Sequence, residues 1–507
     1  MKKRTRFMTF TLAMLMSTLS AGTYATEKTI TTDVVVVGGG STGLTAALTA
    51  AEGGAKVIVL EKNPYLGGSS NFAEGLFAVE SEYQRAASYG LTKDEAFKHI
   101  IEFNHNKIDN TIIRNYVNKA ADNIDWLNEQ GVDFRLIQIS PEEPRVWHII
   151  EDKKPYIHGG ALITTLQQKA KKLGVQFLLR TPAKKLIYSN NRVTGVEAVD
   201  HKGNKIVLKA KAVVIATGGF GNSKEKIAKW TNYNPETFLP ALPLNKTGDG
   251  IQMAKDVGAK TEGEGLMVYL GARGTGIIPM QGINAMTWQP TNLWVNSSGE
   301  RFTNEAVAFS FGQAANSVGR QHGNMAWAIF DDASVDYAAQ KGIDQGIGVI
   351  IPTTTKLTGL RDEINNALAV NSDGVKTAES IEALAKQIDV PMDTLIKSYH
   401  DYNAYSKNGY DPQFVKDHKW LRPLNHGNLY AIKMMPNHFA SIGGLNINTK
   451  MQVLGHDNQP ISGLYAGGLE VGGLYGDTYT LWASGHAYGF SIHSGRTAGA
   501  SILKAIK

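Results

Sequence analysis

The apolar positions of this chain fall into short β-branched runs separated by glycine-rich turns and small-residue helices. Asp33-Val34-Val35-Val36-Val37 has no polar residue after its first position, which predicts a strand buried on both faces. It runs into Gly38-Gly39-Gly40-Ser41-Thr42-Gly43, and residues 44–51 then read as a helix of small side chains. Residues 56–60 predict a second strand, which ends at Glu61. Residues 212–215 predict another strand, leading into Ala216-Thr217-Gly218-Gly219-Phe220. Residues 192–199 and 205–208 alternate as a hairpin. Thr247-Gly248-Asp249-Gly250 precedes a helix that ends near Gly258. Residues 375–420 read as helical, with Leu384, Ile388, Leu395 and Tyr399 as a buried stripe.

The order strand, glycine turn, helix, strand, acid is that of a dinucleotide-binding unit, and each part has a physical reason. Gly38 permits the tight turn, Gly40 removes the Cβ that would block a pyrophosphate, and Gly43 lets helix and strand approach. The free N–H groups at the helix start, where Ser41 and Thr42 stand, face the phosphate charge. Glu61 follows at the distance where a carboxylate reaches both ribose hydroxyls, and its charge repels a 2′-phosphate. A second glycine turn, Lys62-Asn63-Pro64-Tyr65-Leu66-Gly67-Gly68-Ser69-Ser70-Asn71, replaces the crossover helix of a nicotinamide enzyme. It predicts backbone running along an extended cofactor, so FAD is favoured over NAD, with Gly68, Ser69 and Ser70 against phosphate or flavin.

Glu61-Lys62 with Gly67-Gly68, followed by Ala73-Glu74-Gly75-Leu76, resembles the flavoprotein family of fumarate reductase and succinate dehydrogenase. That family includes urocanate and methacrylate reductases and 3-ketosteroid dehydrogenases. Further matches are Val295-Asn296, Gly299-Glu300-Arg301-Phe302-Thr303-Asn304-Glu305, Gly443-Gly444, residues 461–470 and Gly495-Arg496-Thr497-Ala498-Gly499. The resemblance covers about residues 32–505 and implies an α/β fold. A discontinuous Rossmann-like FAD-binding domain, 26–240 and 355–507, would carry an inserted α+β capping domain at 241–354, after a signal peptide at 1–25. Gly38, Gly40, Gly43 and Glu61 would then hold the pyrophosphate and adenosine. Gly68, Ser69, Ser70 and Gly75 would pass the flavin, with Lys62 beside them and Thr217 and Gly218 near the adenine. Asp249 and Glu470 would bind polar groups of FAD, Glu470 through ribitol hydroxyls. The helix after Ala483-Ser484-Gly485-His486 would point its N-terminus at the flavin ring and stabilise its reduced anion. No attachment histidine stands near Ser69–Asn71, so the FAD is expected to be non-covalent.

The catalytic part of the resemblance breaks. Family fumarate reductases protonate their substrate with an arginine a few residues after the cap motif, and Phe309 stands there. Ala440 replaces the substrate histidine, with His438 two residues earlier, and Tyr479 replaces the final substrate arginine. Reduction of a C=C bond still needs polarisation of the conjugated group and a proton donor. The remaining candidates are Tyr479, Tyr475 and Asp477 in the loop expected to roof the flavin, Arg273 in the cap, and His158 before Gly159-Gly160. Arg301 is assigned to cap architecture.

Composition narrows the chemistry. The 507 residues include no cysteine, which excludes disulfides, cysteine metal sites and covalent c-type haem on this chain. No histidine pair has metal-ligand spacing, so no catalytic metal is expected. The net charge of +6 is concentrated in Lys2, Lys3, Arg4 and Arg6, and the rest is near balance, which is no footprint for nucleic acid. Those basic residues, the apolar run 7–19 and Thr23-Tyr24-Ala25 have the layout of a secretory signal. The run is short for a bilayer span. The expectation is a periplasmic protein starting near Thr26, with no transmembrane anchor after cleavage. Its function is expected to be reduction of an activated C=C bond, in an unsaturated acid or enone. Electrons would come from a separate cytochrome c or a membrane quinol-linked donor. The alternatives are a ketone or ketosteroid dehydrogenase that introduces a C=C bond, and a non-catalytic flavin or electron carrier.

Overall fold

The valines at 34–37 and the runs at 57–60 and 212–215 are buried on both faces and become neighbours in one parallel sheet, joined by 460–466, which is buried toward its carboxyl end. The computed structural model describes residues 27–140 and 142–507. The stretch read as an export signal therefore lies outside the described residues. The parallel order is Gln176–Leu178, Val57–Leu60, Val34–Val37, Ala212–Ile215, Pro460–Ala466. The antiparallel meander Ala183–Ser189, Arg192–Val199, Lys205–Lys209, which includes the hairpin predicted at 192–208, joins it through a parallel contact between Arg192 and Ser462. Helix Ser41–Glu52 and the C-terminal helix His486–Ile506 lie against each other at small residues. A Cβ on Gly495 would come within 2.4 Å of the Thr42 carbonyl oxygen, so this crossing depends on glycine.

A second unit is built around the 17-residue strand Leu429–Leu445. It pairs with Thr261–Ala272, Ala326–Asp331, Val375–Ala378 and Leu239–Pro240, and Leu293–Val295 completes the sheet. The boundary read at 354 falls inside this unit. Helix Leu360–Ala369 shares a core with Trp294, Phe330 and Ile432. Helix Ile381–Ile388 shares one with Leu293, Ile329 and Ala431. Residues 375–378 are a strand rather than the start of a helix, because their backbone completes the ladder to 429–432. Ser380 then caps the helix by accepting from the Ala383 N–H, and Pro391 separates it from helix Met392–Asn408. Leu384, Ile388 and Leu395 are buried as the stripe requires.

Arg301 is architectural, as expected. Its guanidinium donates to both Glu305 oxygens and to Asp411, each at 2.8 Å. Lys416 Nζ reaches Glu305 at 3.1 Å, and all four side chains are buried. Burial opposes the charge on Glu305, and Lys416 and Arg301 overcome it and lower its pKa. This knot joins the Asn304-Glu305 turn to residues 411–416. Among the described residues, no helix is long and apolar enough to cross a membrane.

Candidate active site

Two cavities meet along residues 67–75. Gly67, Gly68, Ser69 and Ser70 line the first, and Phe72, Ala73, Glu74 and Gly75 line the second.

The first is a polar cleft of about 850 Å³ at the carboxyl ends of the parallel strands, the place where open α/β sheets bind ligands. Gly38, Gly40, Ser41, Thr42, Glu61, Lys62, Thr217, Gly218 and Asp249 line it. Gly38 turns with φ +108°, and a Cβ there would lie 2.2 Å from the Ala216 carbonyl oxygen. Gly43 stands behind the wall, where a Cβ would lie 1.9 Å from the Gly38 carbonyl oxygen. Glu61 is held by the Gly39 and Asn63 N–H groups at 2.9 and 2.8 Å. Lys62 Nζ donates to Asp249 and Thr247, each at 2.8 Å. Burial raises the Asp249 pKa, and Lys62 and the Thr247 hydroxyl outweigh it, leaving it below the usual carboxylate value. Lys246 also lines the cleft and, among the described residues, has no ion-pair partner. Its Nζ donates to the Phe439 carbonyl at 3.3 Å, and burial pulls its pKa down to about 8.

The second cavity, about 1010 Å³, opens between the two units. Its walls are mostly apolar: Phe72, Ile139, Trp147, Phe311, Ile347 and Phe439 among them. Ser484, Gly485 and Ala487 bring the start of the C-terminal helix to it. Tyr479 lines it, and burial pushes its phenol up to about 12. The N–H groups of Ala487, His486 and Gly485 face that phenol and pull the other way. No lysine, arginine or histidine is among the described residues lining this cavity.

A family pattern described as an FAD binding domain matches residues 33–485. The chain belongs to this family. It is 35% identical to vinyl phenol reductase of Lactiplantibacillus plantarum over 476 residues, 92% of this chain and 95% of that protein. It is 28% identical to NADH:fumarate oxidoreductase of Klebsiella pneumoniae over 88% of this chain, and spans 45% of that protein's length. Among solved structures, the open conformation of a flavocytochrome c3 fumarate reductase superposes with TM-score 0.72 at 26% identity, over 94% of this chain and 78% of that one. The protein is an FAD-dependent oxidoreductase, from a family whose named members include reductases of C=C bonds and a 3-oxosteroid 1-dehydrogenase.

The glycines of this flavoprotein fit the cofactor. A Cβ on Gly40 would meet no protein atom nearer than 3.7 Å, and one on Gly68 nothing within 4 Å, so both leave space on the cleft side. Other residues expected at the cofactor lie behind this cleft or beyond it. Glu470 is fully buried behind the cleft; its Oε2 accepts from Thr217 Oγ1 and the Gly218 N–H, both at 2.7 Å. Through Oε2 it locks the 217–219 turn, its Oε1 is buried without a partner, and Leu469 takes the lining position. Gly75, Ser484 and Gly485 belong to the second cavity rather than the first.

The proposed catalytic set also separates. Tyr475 lies behind Tyr479, with its hydroxyl 2.9 Å from His486 Nδ1, and lines neither cavity. Asp477 is exposed: the loop puts Tyr475 and Thr478 inward and turns residue 477 out. Arg273 donates to Asn437 Oδ1 at 2.6 Å and does not line the pocket. The His158 ring is 3.0 Å from the Ile150 carbonyl, its backbone N–H is held by Asp152, and it too is outside both cavities. Its neighbour Gly159 instead buttresses the 70–73 segment, donating to the Ala73 carbonyl at 2.9 Å. The ring of Phe309, expected from the sequence to stand where the family has its arginine, is 5.2 Å from that of Trp420 and contributes nothing polar. His438 is buried and held neutral, its pKa pushed down to about 4 by burial and then by Lys246. Two site residues escaped the sequence: Lys246, directly before the Thr247-Gly248-Asp249 signal, and Glu74, within the Ala73-Glu74-Gly75-Leu76 match.

Proposed function

We propose that this flavoprotein is an exported reductase that saturates the C=C bond of a small, largely apolar alkene conjugated to a hydroxyl-bearing ring or a ketone. The observation that carries this reading is the second cavity, with its aromatic and aliphatic walls and no cation to hold a substrate carboxylate. An unsaturated acid would lose its hydration there without a counter-charge, which is costly. A vinylphenol or an enone has no such charge, and the similarity to vinyl phenol reductase favours the same chemistry.

Gly38, Gly40, Glu61, Lys62 and Asp249 would hold FAD, which when bound and reduced supplies the hydride equivalent. The protein's own part is proton supply and positioning. Tyr479 keeps its proton at neutral pH, because burial holds its pKa at about 12, and it presents that proton to the pocket. The apolar walls exclude competing water. Electrons would come from a separate cytochrome or a quinol-linked donor in the periplasm, where the basic and apolar layout of residues 1–25 would direct the chain.

Dithionite-reduced holoprotein should be reoxidised by 4-vinylphenol or an enone far faster than by fumarate. Equal or faster reoxidation by fumarate would remove the basis of the reading. Cell fractionation should find the flavin-loaded protein in the periplasm with a mature N-terminus near Thr26; a full-length cytoplasmic protein contradicts export. The apolar walls of the pocket also favour a second reading, oxidation of a polycyclic ketone. In that case a saturated ketone would bleach the oxidised flavin anaerobically.

A further inference from the structure

The lining of the second cavity contains one carboxyl group among the described residues, that of Glu74. Its backbone is fixed at the edge of strand Trp147–Ile150, because the Ile150 N–H donates to the Glu74 carbonyl at 3.0 Å. Its side chain reaches the loop 345–351 of the other unit. There the Val349 N–H supplies its backbone hydrogen bond, and a Cβ on Gly348 would lie 2.6 Å from Oε2. The other oxygen, Oε1, is buried without a partner. Trp147 lines the same cavity, and its Nε1 is also buried without a partner. A buried polar atom without a hydrogen bond is expensive, so Oε1 calls for a donor. A hydroxyl both donates and accepts, so it can donate to a carboxylate oxygen and accept from an indole N–H.

We propose that Glu74 is a substrate-contacting residue, whose Oε1 accepts the hydrogen bond of a ring hydroxyl on an otherwise apolar substrate. The proposal deepens the reductase reading and rests on it for the choice of a phenol. The contact fixes which end of the alkene lies near Tyr479. It also draws the hydroxyl proton toward Glu74, which raises electron density at the vinyl carbon that must be protonated.

The ionisation state of Glu74 makes this contact pH-dependent. Burial pushes its carboxyl up to about 7, opposed by the Val349 N–H. The other titratable groups on the cavity wall are Tyr479 and Tyr488, both raised by burial. His148, on the adjoining strand, points to Ser81 Oγ at 2.7 Å and is held neutral, its pKa lowered to about 4 by burial. The loop 345–351 carries no charged residue. A hydroxyl donor binds the charged carboxylate best, so binding strengthens as pH rises through about 7.

The test titrates the flavin absorbance of the oxidised holoprotein with 4-ethylphenol and with ethylbenzene at pH 6 and pH 8. Wild type should prefer 4-ethylphenol by about tenfold or more at the higher pH, and by less at the lower. In Glu74→Gln the pH dependence should vanish, and in Glu74→Leu the preference itself. The ratio of flavin to protein absorbance confirms that each variant is folded and loaded. An undiminished, still pH-dependent preference in both loaded variants overturns the proposal, as does wild type that binds the two ligands equally. Because these measurements use oxidised protein, they are separate from the reductase reading, which fails if 4-vinylphenol does not reoxidise the reduced flavin.

Discussion

Gly38→Ala should purify as a colourless protein that takes up no added FAD. The residue has φ +108°, a conformation costing a side-chain-bearing residue about 1–3 kcal/mol. The new Cβ would lie 2.2 Å from the Ala216 carbonyl oxygen, which is backbone and cannot swing away. Strands Val34–Val37 and Ala212–Ile215 would have to part at the mouth of the cleft, and overpacking of this kind adds about 1–3 kcal/mol. Gly40→Ala is the control. Its Cβ has no protein neighbour nearer than 3.7 Å, so the apoprotein should melt as wild type does while FAD affinity falls sharply. Melting temperature of the apoprotein and FAD titration separate the two effects. Wild-type FAD affinity in Gly40→Ala would show that the pyrophosphate does not cross this residue.

Tyr479→Phe should lower the rate of flavin reoxidation by the alkene by about 10²–10⁴, the usual contribution of a positioned proton donor. FAD content should be retained, since Tyr479 lines the second cavity and not the cofactor cleft. Removal of the hydroxyl leaves the ring in place, 5.4 Å from that of Tyr475, so packing is kept. Stopped-flow mixing of reduced variant with substrate reads the loss directly. Tyr475→Phe should act more weakly, because that hydroxyl is bound to His486 and does not reach the pocket. Unchanged reoxidation in Tyr479→Phe would move the proton donor elsewhere, and Glu74 is the next titratable group on the wall.

The cofactor cleft was legible because its signal is local. Residues 33–61 contain strand, turn, helix and acid in one stretch, and glycine is required wherever a Cβ would strike backbone. The segment 67–70 was legible for the same reason. The catalytic loop was not. Residues 475–479 all stand together in sequence, yet Tyr479 reaches the pocket, Tyr475 is sealed behind it and Asp477 faces solvent. Which way each side chain turns depends on partners far away, such as Asn104, which accepts the Gly476 N–H at 2.8 Å, and Asn316, which donates to Thr478 at 2.8 Å. The same holds for Glu470, which the family resemblance assigned to a cofactor contact and whose Oε1 is left without a partner. Its neighbours at 217–219 claim Oε2 first.

The amino-acid order by itself determined that this chain carries a dinucleotide-binding stretch, and led to the expectation that the arginine and histidine of a fumarate site are missing. Those are statements about which residues stand in one continuous stretch, and local backbone requirements decide them. Only the tertiary structure decided what replaces the missing groups. Glu74, Trp147, Ile347, Phe439 and Tyr479 come from distant segments, and among the described residues they line one mostly apolar pocket with a single carboxyl. Burial sets the charge state of that carboxyl, and burial belongs to the assembled fold rather than to any stretch of sequence.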